Sequence, residues 1–390
     1  MPLTAKRRAL TGISSAIILL SATACGAGTD TGSAANLKDA PSPQRLAGVC
    51  PKKVVVQTDW EPEAEHGPLY NLVGPGYTID TDKKRVTGPL VSGGKDTGVD
   101  IEIRAGGSAI GYQSVTSQLY LDKDIMLATV TSDDAIEAAA KRPVTAVAAL
   151  MKKSPQILMW DPASHPTWHS VADIHKSDAK VVYADGNLFM PLLLDKKMVK
   201  KSQVDGSYDG APARFVSDPS IVQQGFATAE PYIYEHEISA WKKPVKYQLL
   251  ADVGYNVYPQ AISVRSADLG KRAACLKKLV PVIQRSAADF AAHPDRAVDL
   301  VADLATQYNT GWVYSKQTGQ YAARQLIKLK LLDEESDGSI GSFDMKRVDR
   351  IRGTFAPLLT KNGVKVPAGL TSEDLATNRF IDSSIGMHHD

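Results

Sequence analysis

Cysteine is scarce in this 390-residue chain: Cys25, Cys50 and Cys275 are all there is, leaving room for one internal disulfide at most. Charge of one sign is missing too. With 45 basic and 43 acidic residues, the formal net charge is +2, so no basic field exists for nucleic acid. Apolar runs are short, and the one near the N-terminus is too brief to span a bilayer comfortably. The chain has no Gly-x-Ser-x-Gly elbow, and no spacing reads as a nucleophile paired with its base. Its glycines follow neither the P-loop nor the dinucleotide fingerprint, so no nucleotide site follows and no cofactor is called for.

What is present begins with a leader. Lys6-Arg7-Arg8 forms a positive n-region, residues 13–24 an apolar run, and Ala22-Thr23-Ala24-Cys25 a small-residue end. That ending resembles a bacterial lipobox, which implies a signal peptide over 1–24 and lipid on Cys25. Ala22 departs from the usual leucine, so simple secretion stays open. Arg7-Arg8 also admits twin-arginine export. Without Lys6, Arg7 and Arg8 the mature chain has 42 basic against 43 acidic residues. Residues 25–49 read as the lipidated end and a flexible tether. In an oxidising compartment Cys50 and Cys275 are expected to pair, the alternative being two buried free thiols. About 340 residues remain, enough for two lobes.

The rest is organised around residues 54–70. Val54-Val55-Val56 reads as a buried strand, stopped at Asp59-Trp60-Glu61-Pro62 by the proline. In open α/β folds the loop leaving a strand's carboxyl end is where ligands sit. Trp60 offers a stacking face and a donor, and His66 and Tyr70 can donate or accept. Asp59-Trp60-x-Pro62-x-x-x-His66-x-x-x-Tyr70 resembles the opening motif of solute-binding proteins related to thiamine-precursor synthases, a group that includes nitrate-, taurine- and pyrimidine-type importer components. The resemblance implies a type II-like periplasmic-binding fold, two α/β lobes on a hinge with a cleft between them. Lobe one is expected over 51–160 plus 261–390, and lobe two over 161–260.

Further cleft candidates follow in order. A strand at 99–103 feeds the glycine-rich loop 104–114, where Ser108 and Gln113 could add contacts. Ser132 and Asp133, after a strand at 125–130, match a Ser-Asp that faces the ligand in the family, although helix capping explains them equally well. In lobe two, Asn187 opens a helix after a strand at 178–183. Residues 212–216 read as a strand and 219–224 as a helix. Thr228, Glu230 and Tyr232 lie where the family has a strand ending in Glu-Pro, though Glu230 could simply cap a helix. Tyr255 falls in the return crossover. Residues 77–88 read as a polar hairpin inserted at the rim, and the helical region after 268 as packing.

Metal readings are weaker. Prolines 162 and 166 argue against one helical face for His165 and His169, and Glu63 and Glu65 beside His66 are expected to face solvent. The enzyme reading lacks its chemistry. The related synthases carry a cysteine-rich iron motif where residues 250–258 have no cysteine, and Lys123, near the family's cofactor lysine, is explained as a surface turn.

The sequence therefore predicts a monomeric, lipid-tethered receptor on the outer face of the cytoplasmic membrane. It would hand a small organic solute to an ABC permease and its ATPase, with a lean toward a planar heterocycle such as a thiamine-related pyrimidine or a flavin. A nitrate or sulfonate binder of the same fold and a non-transport receptor or scaffold are the alternatives. An anion would call for basic side chains, and only Arg104 lies near the candidate loops.

Overall fold

The computed structural model describes residues 37–208 and 210–387. The leader, Cys25 and the start of the tether lie outside them. The strands are β1 (Lys53–Gln57), β2 (Thr78–Asp80), β3 (Arg85–Ser92), β4 (Lys95–Arg104), β5 (Leu127–Val130), β6 (Val144–Ala148), β7 (Gln156–Trp160), β8 (Val181–Val182), β9 (Val204–Asp205), β10 (Val222–Phe226), β11 (Lys246–Leu249) and β12 (Ala261–Arg265). They form a seven-stranded sheet in the order β2-β3-β4-β1-β5-β12-β6 and a five-stranded sheet in the order β11-β7-β10-β8-β9.

β1 lies between β4 and β5, parallel to both. A strand with helices or loops on both faces must be apolar on both. Val54, Val55 and Val56 are accordingly at most 2% exposed, each contributing roughly 1.5–3 kcal/mol by burial. The parallel set places the ends of β1, β4 and β5 at one rim of the sheet. β7 pairs with β10 and β11, so the chain has changed sheets before Trp160. It returns through β12, antiparallel to β5 and β6.

Three local expectations need correction. Residues 213–217 are helical, and β10 occupies the second half of the predicted 219–224 helix. Val222-Gln223-Gln224-Gly225-Phe226 pairs with both β7 and β8, and that pairing overrides weak local propensity. The hairpin after residue 77 is more than a polar rim. β3 pairs along β4 and buries Val86, Leu90 and Val91, which extends the seven-stranded sheet at one edge.

Helix Ala273–Ala292 lies across the seven-stranded sheet and packs against Gly67–Tyr70. It also carries Cys275, which is disulfide-bonded to Cys50 with the Cα atoms 4.7 Å apart. Around this bond Leu46 is buried, and Lys278 Nζ donates to the carbonyls of Ser42 and Arg45. No helix among the described residues is long and apolar enough to cross a membrane.

The disulfide closes a loop with a sequence separation of 225, worth about 5 kcal/mol on the loop-entropy account. Peptide mapping without reductant should recover Cys50 linked to Cys275, and Cys275→Ser should lower the melting temperature by several degrees. Equal melting temperatures for the oxidised and reduced protein would contradict this.

Candidate functional site

The loop leaving β1 is fixed to the end of β4 before its side chains reach the interior. The Thr58 hydroxyl bonds the carbonyls of Arg104 and Trp60 at 3.0 and 2.9 Å. The amides of Gly106 and Gly107 donate to the Trp60 and Asp59 carbonyls. Here glycine is required: a Cβ on Gly106 would lie 2.5 Å from the Asp59 carbonyl oxygen.

Asp59, Glu61, Glu63 and Glu65 alternate along this loop, and each meets a neutral donor from elsewhere. The Thr129 hydroxyl at the end of β5 donates to Asp59 at 2.5 Å. Ser108, in the loop after β4, bonds Glu61. The Gln260 amide, just before β12, donates to Glu63 at 2.9 Å. Thr228, just past β10, bonds Glu65. That last contact joins the loops of the two sheets. His66 is fully buried, with Nε2 2.8 Å from Asp59 Oδ1 and Nδ1 3.8 Å from Glu63 Oε1. A carboxylate can only accept, so Nε2 carries the proton of the 2.8 Å bond.

The electrostatics follow from burial with few donors. Burial raises Glu63 well above the usual carboxylate range, and the charges of Glu65 and Asp59 add to it. Burial also raises Glu65 and Glu61, against the hydroxyls of Thr228 and Ser108. Glu230 is pushed up to about 7 by burial, although the Phe226 amide donates to it at 2.6 Å. Asp59 alone goes the other way. Burial would raise it, but hydrogen bonds from His66 and Thr129 hold it below its ordinary value.

Aromatic rings stand on one side. Trp60 lies 5.9 Å from Tyr112 and meets Trp312 edge-on at 6.1 Å. Trp312 stacks on Tyr314, and its indole N–H donates to the Pro62 carbonyl at 3.1 Å. The Tyr314 hydroxyl accepts the Ala64 amide.

Of the sequence candidates, Asp59, His66, Ser108 and Thr228 are thus drawn into one network. Glu230 is coupled to it through the charge of Glu65. Trp60 flanks the network, and Tyr70 is buried with its hydroxyl unpartnered. Asp133 and Tyr255 form their own buried pair at 2.7 Å, with Asp133 raised to about 6 by burial against that bond. The Ser132 hydroxyl accepts the Tyr258 amide at 3.0 Å, fastening the end of β5 to the return crossover. Gln113 is exposed and accepts from Gln118. Asn187 bonds Ala184 and Gln156, and Tyr232 packs against Tyr321 and His236.

Two expectations fail. Glu63 and Glu65 are 8% and 3% exposed rather than solvent-facing, because Gln260 and Thr228 supply donors and the five-stranded sheet's loop covers them. Trp312 and Tyr314, in a stretch read as packing alone, border the acidic loop. The local sequence carries no signal of this, because Glu65 sits in the helical turn Ala64–His66 and its cover comes from distant segments. Arg104, the one basic candidate, is spent on Glu102 and Asp122 at 2.7 and 2.6 Å. Among the described residues no group of three or more His, Cys, Asp or Glu is placed to hold a metal ion.

The raised carboxyls give stability a definite pH dependence. Below about 4.5 Glu230 is protonated in folded and unfolded chains alike. Between that value and about 7 the unfolded chain has released the proton and the folded chain has kept it. Stability therefore falls as pH rises through this window, by on the order of 3 kcal/mol from this group. Melting temperatures from pH 4.5 to 8 should decline, and Glu230→Gln should flatten the decline; a steady rise would contradict the assignment.

Comparison with known proteins places the architecture. The aliphatic sulphonate-binding protein SsuA of Escherichia coli superposes with a TM-score of 0.52 at 13% identity, over 83% of this chain and 92% of its own. The nitrate-binding protein NrtA of Synechocystis PCC 6803 gives 0.51 at 9% identity, over 84% and 87%. A zinc-bound ligand-binding component of an ABC-type import system from Staphylococcus aureus gives 0.52 at 12%, over 85% and 100%. These likenesses establish the periplasmic-binding fold. No curated protein matches the sequence. The profile described as NMT1/THI5 like matches residues 95–297, which begins after the acidic loop. That match covers more than half of the chain, which belongs to the NMT1/THI5-like family.

Proposed function

We propose that the protein is an exported solute receptor that delivers a small organic molecule to an ABC importer. The observation that carries this reading is the acidic and aromatic loop of one sheet meeting the loop of the other through Glu65 and Thr228. Ligands of this fold class sit where strand ends of the two lobes face each other. The separate sheets and the return crossover support a hinge, with capture in an open state and closure over the solute. The solved structures of similar fold include importer components, which supports the transport assignment.

Asp59, Trp60, His66, Ser108, Thr228 and Glu230 are the binding residues in this reading, with Trp60 as the stacking platform. A planar heterocycle suits Trp60, Trp312 and Tyr112 better than nitrate or a sulfonate does, because Arg104 is already paired. Export is supported by the basic-apolar leader and by the disulfide, a bond typical of oxidising compartments. Cys25 would then carry lipid and hold the receptor at the membrane near its permease and ATPase. The synthase alternative finds little support: Lys123 lies on an exposed turn beside Tyr120.

Titrating the mature protein with planar heterocycles should change tryptophan fluorescence. Trp60→Ala should remove most of that change and weaken binding about tenfold, the scale of one aromatic contact. Full affinity in the variant would take Trp60 out of the site. Cys25→Ser should move the protein from the membrane fraction to the soluble one in the expressing cell, whereas unchanged membrane association would rule out the lipid anchor.

A further inference from the structure

The acidic loop buries carboxyl oxygens that nothing donates to, Glu61 Oε2 and Glu65 Oε2. Glu61, Glu63, Glu65 and Glu230 bring four carboxyls together with Asp59. Among the described residues no lysine or arginine forms an ion pair with any of the four glutamates. The donors they do have are neutral hydroxyls and amides, among them those of Ser108, Gln260, Thr228, Tyr208 and the Phe226 backbone. A carboxylate has about four lone-pair sites, so most are unmet.

A second, independent observation lies beside them. Gln260 is 5% exposed, its amide nitrogen is bound to Glu63, and its oxygen has no partner. That oxygen is one more acceptor at the same place. Glu61 Oε2 and Glu65 Oε2 are also buried without partners. Gln260 is held there in a left-handed backbone conformation, φ 48°, which a non-glycine residue adopts at a cost. An unmatched cluster of buried acceptors costs free energy until something donates to it. The complement of such a site is a molecule rich in N–H donors and positively charged. Indole faces at Trp60 and Trp312 suit the same charge, since a cation is attracted to an aromatic face.

We infer that the cleft selects a cationic nitrogen compound, an amine or amidinium on a flat or apolar body, with Glu63, Glu65 and Glu230 as the charge-selecting residues and Gln260 as a neutral acceptor. This rests on the reading of the cleft as a solute site. It assigns the solute a charge opposite to that of the sulphonate and nitrate bound by the two proteins of similar fold. Those anions would add acceptors beside acceptors, and among the described residues no lysine or arginine is ion-paired with the four glutamates to receive them.

The test compares three molecules of nearly one shape: benzamidine, neutral benzamide and benzenesulfonate, with nitrate and a neutral aminopyrimidine added. Binding to the mature protein is followed by calorimetry and by melting temperature at pH 7.5 and low salt. Benzamidine should bind at least tenfold more tightly than benzamide, and benzenesulfonate and nitrate should give no shift. Glu63→Gln and Glu65→Gln should each reduce the benzamidine preference by about tenfold. Because Gln matches the protonated carboxyl that burial favours, both variants should melt no lower than the parent in the absence of any added compound, which separates lost binding from lost folding. Tighter binding of the sulfonate, of nitrate or of the neutral compounds would overturn the cationic assignment and leave the receptor standing. No binding by any of the five would overturn both.

Discussion

The constraint on which the structure turns is the enclosure of four alternating acids, half-buried Asp59 and buried Glu61, Glu63 and Glu65, in a single loop. Each is answered by an uncharged donor from a different part of the chain: the end of β5, the loop after β4, the approach to β12 and the turn past β10. No one element could supply these partners. The loop consequently acts as a hub where segments far apart in sequence converge. Its backbone is fastened first, by Thr58 and the Gly106 and Gly107 amides, so the side chains are aimed before they are satisfied. Preorganisation of this kind lets a site spend its interaction energy on a ligand rather than on its own ordering.

The two sheets play unequal parts. The seven-stranded sheet contributes the acids, His66 and the Trp60 face, while the connection between helices Asp295–Tyr308 and Lys316–Lys328 adds Trp312 and Tyr314. The five-stranded sheet contributes Thr228 and Glu230 from one turn. The Thr228–Glu65 contact between them is polar, and the stacking of Tyr232 on Tyr321 adds an aromatic one. Its hydrogen-bond donor, the Thr228 hydroxyl, also has lone pairs of its own, so it can accept from a solute as well as donate to Glu65. A polar contact of this sort is easily exchanged for a ligand's groups, whereas an apolar seam would resist opening.

Much of the fold was legible because the pattern was strong. Val54–Val56, the alternation through residues 99–103 and the return at residues 262–264 all became strands of the seven-stranded sheet, and the Cys50–Cys275 pairing was reached by elimination. The smaller sheet was harder. β10 holds two glutamines and a glycine, and its strand character comes from neighbours on both sides rather than from local preference. In the acidic loop, Asp59, Trp60 and His66 could be picked as candidates from type and spacing. Glu63 and Glu65 could not, because charged loop residues are normally solvated. Their burial depends on Gln260 and Thr228, which lie 197 and 163 positions away. Gln113 faces outward for the converse reason, since a glycine-rich loop admits many directions and this one turns the amide toward Gln118.

The covalent link between Cys50 and Cys275 also has a mechanical meaning. Any pull applied from the N-terminal side reaches Cys50 before it reaches β1. The bond diverts that load into helix Ala273–Ala292, which spreads it over the hydrophobic layer beneath the sheet. β1, the strand from which the acidic loop springs, is spared. Tension on the residues before Cys50 would thus pass into the helix and leave the geometry of the acidic loop unstrained.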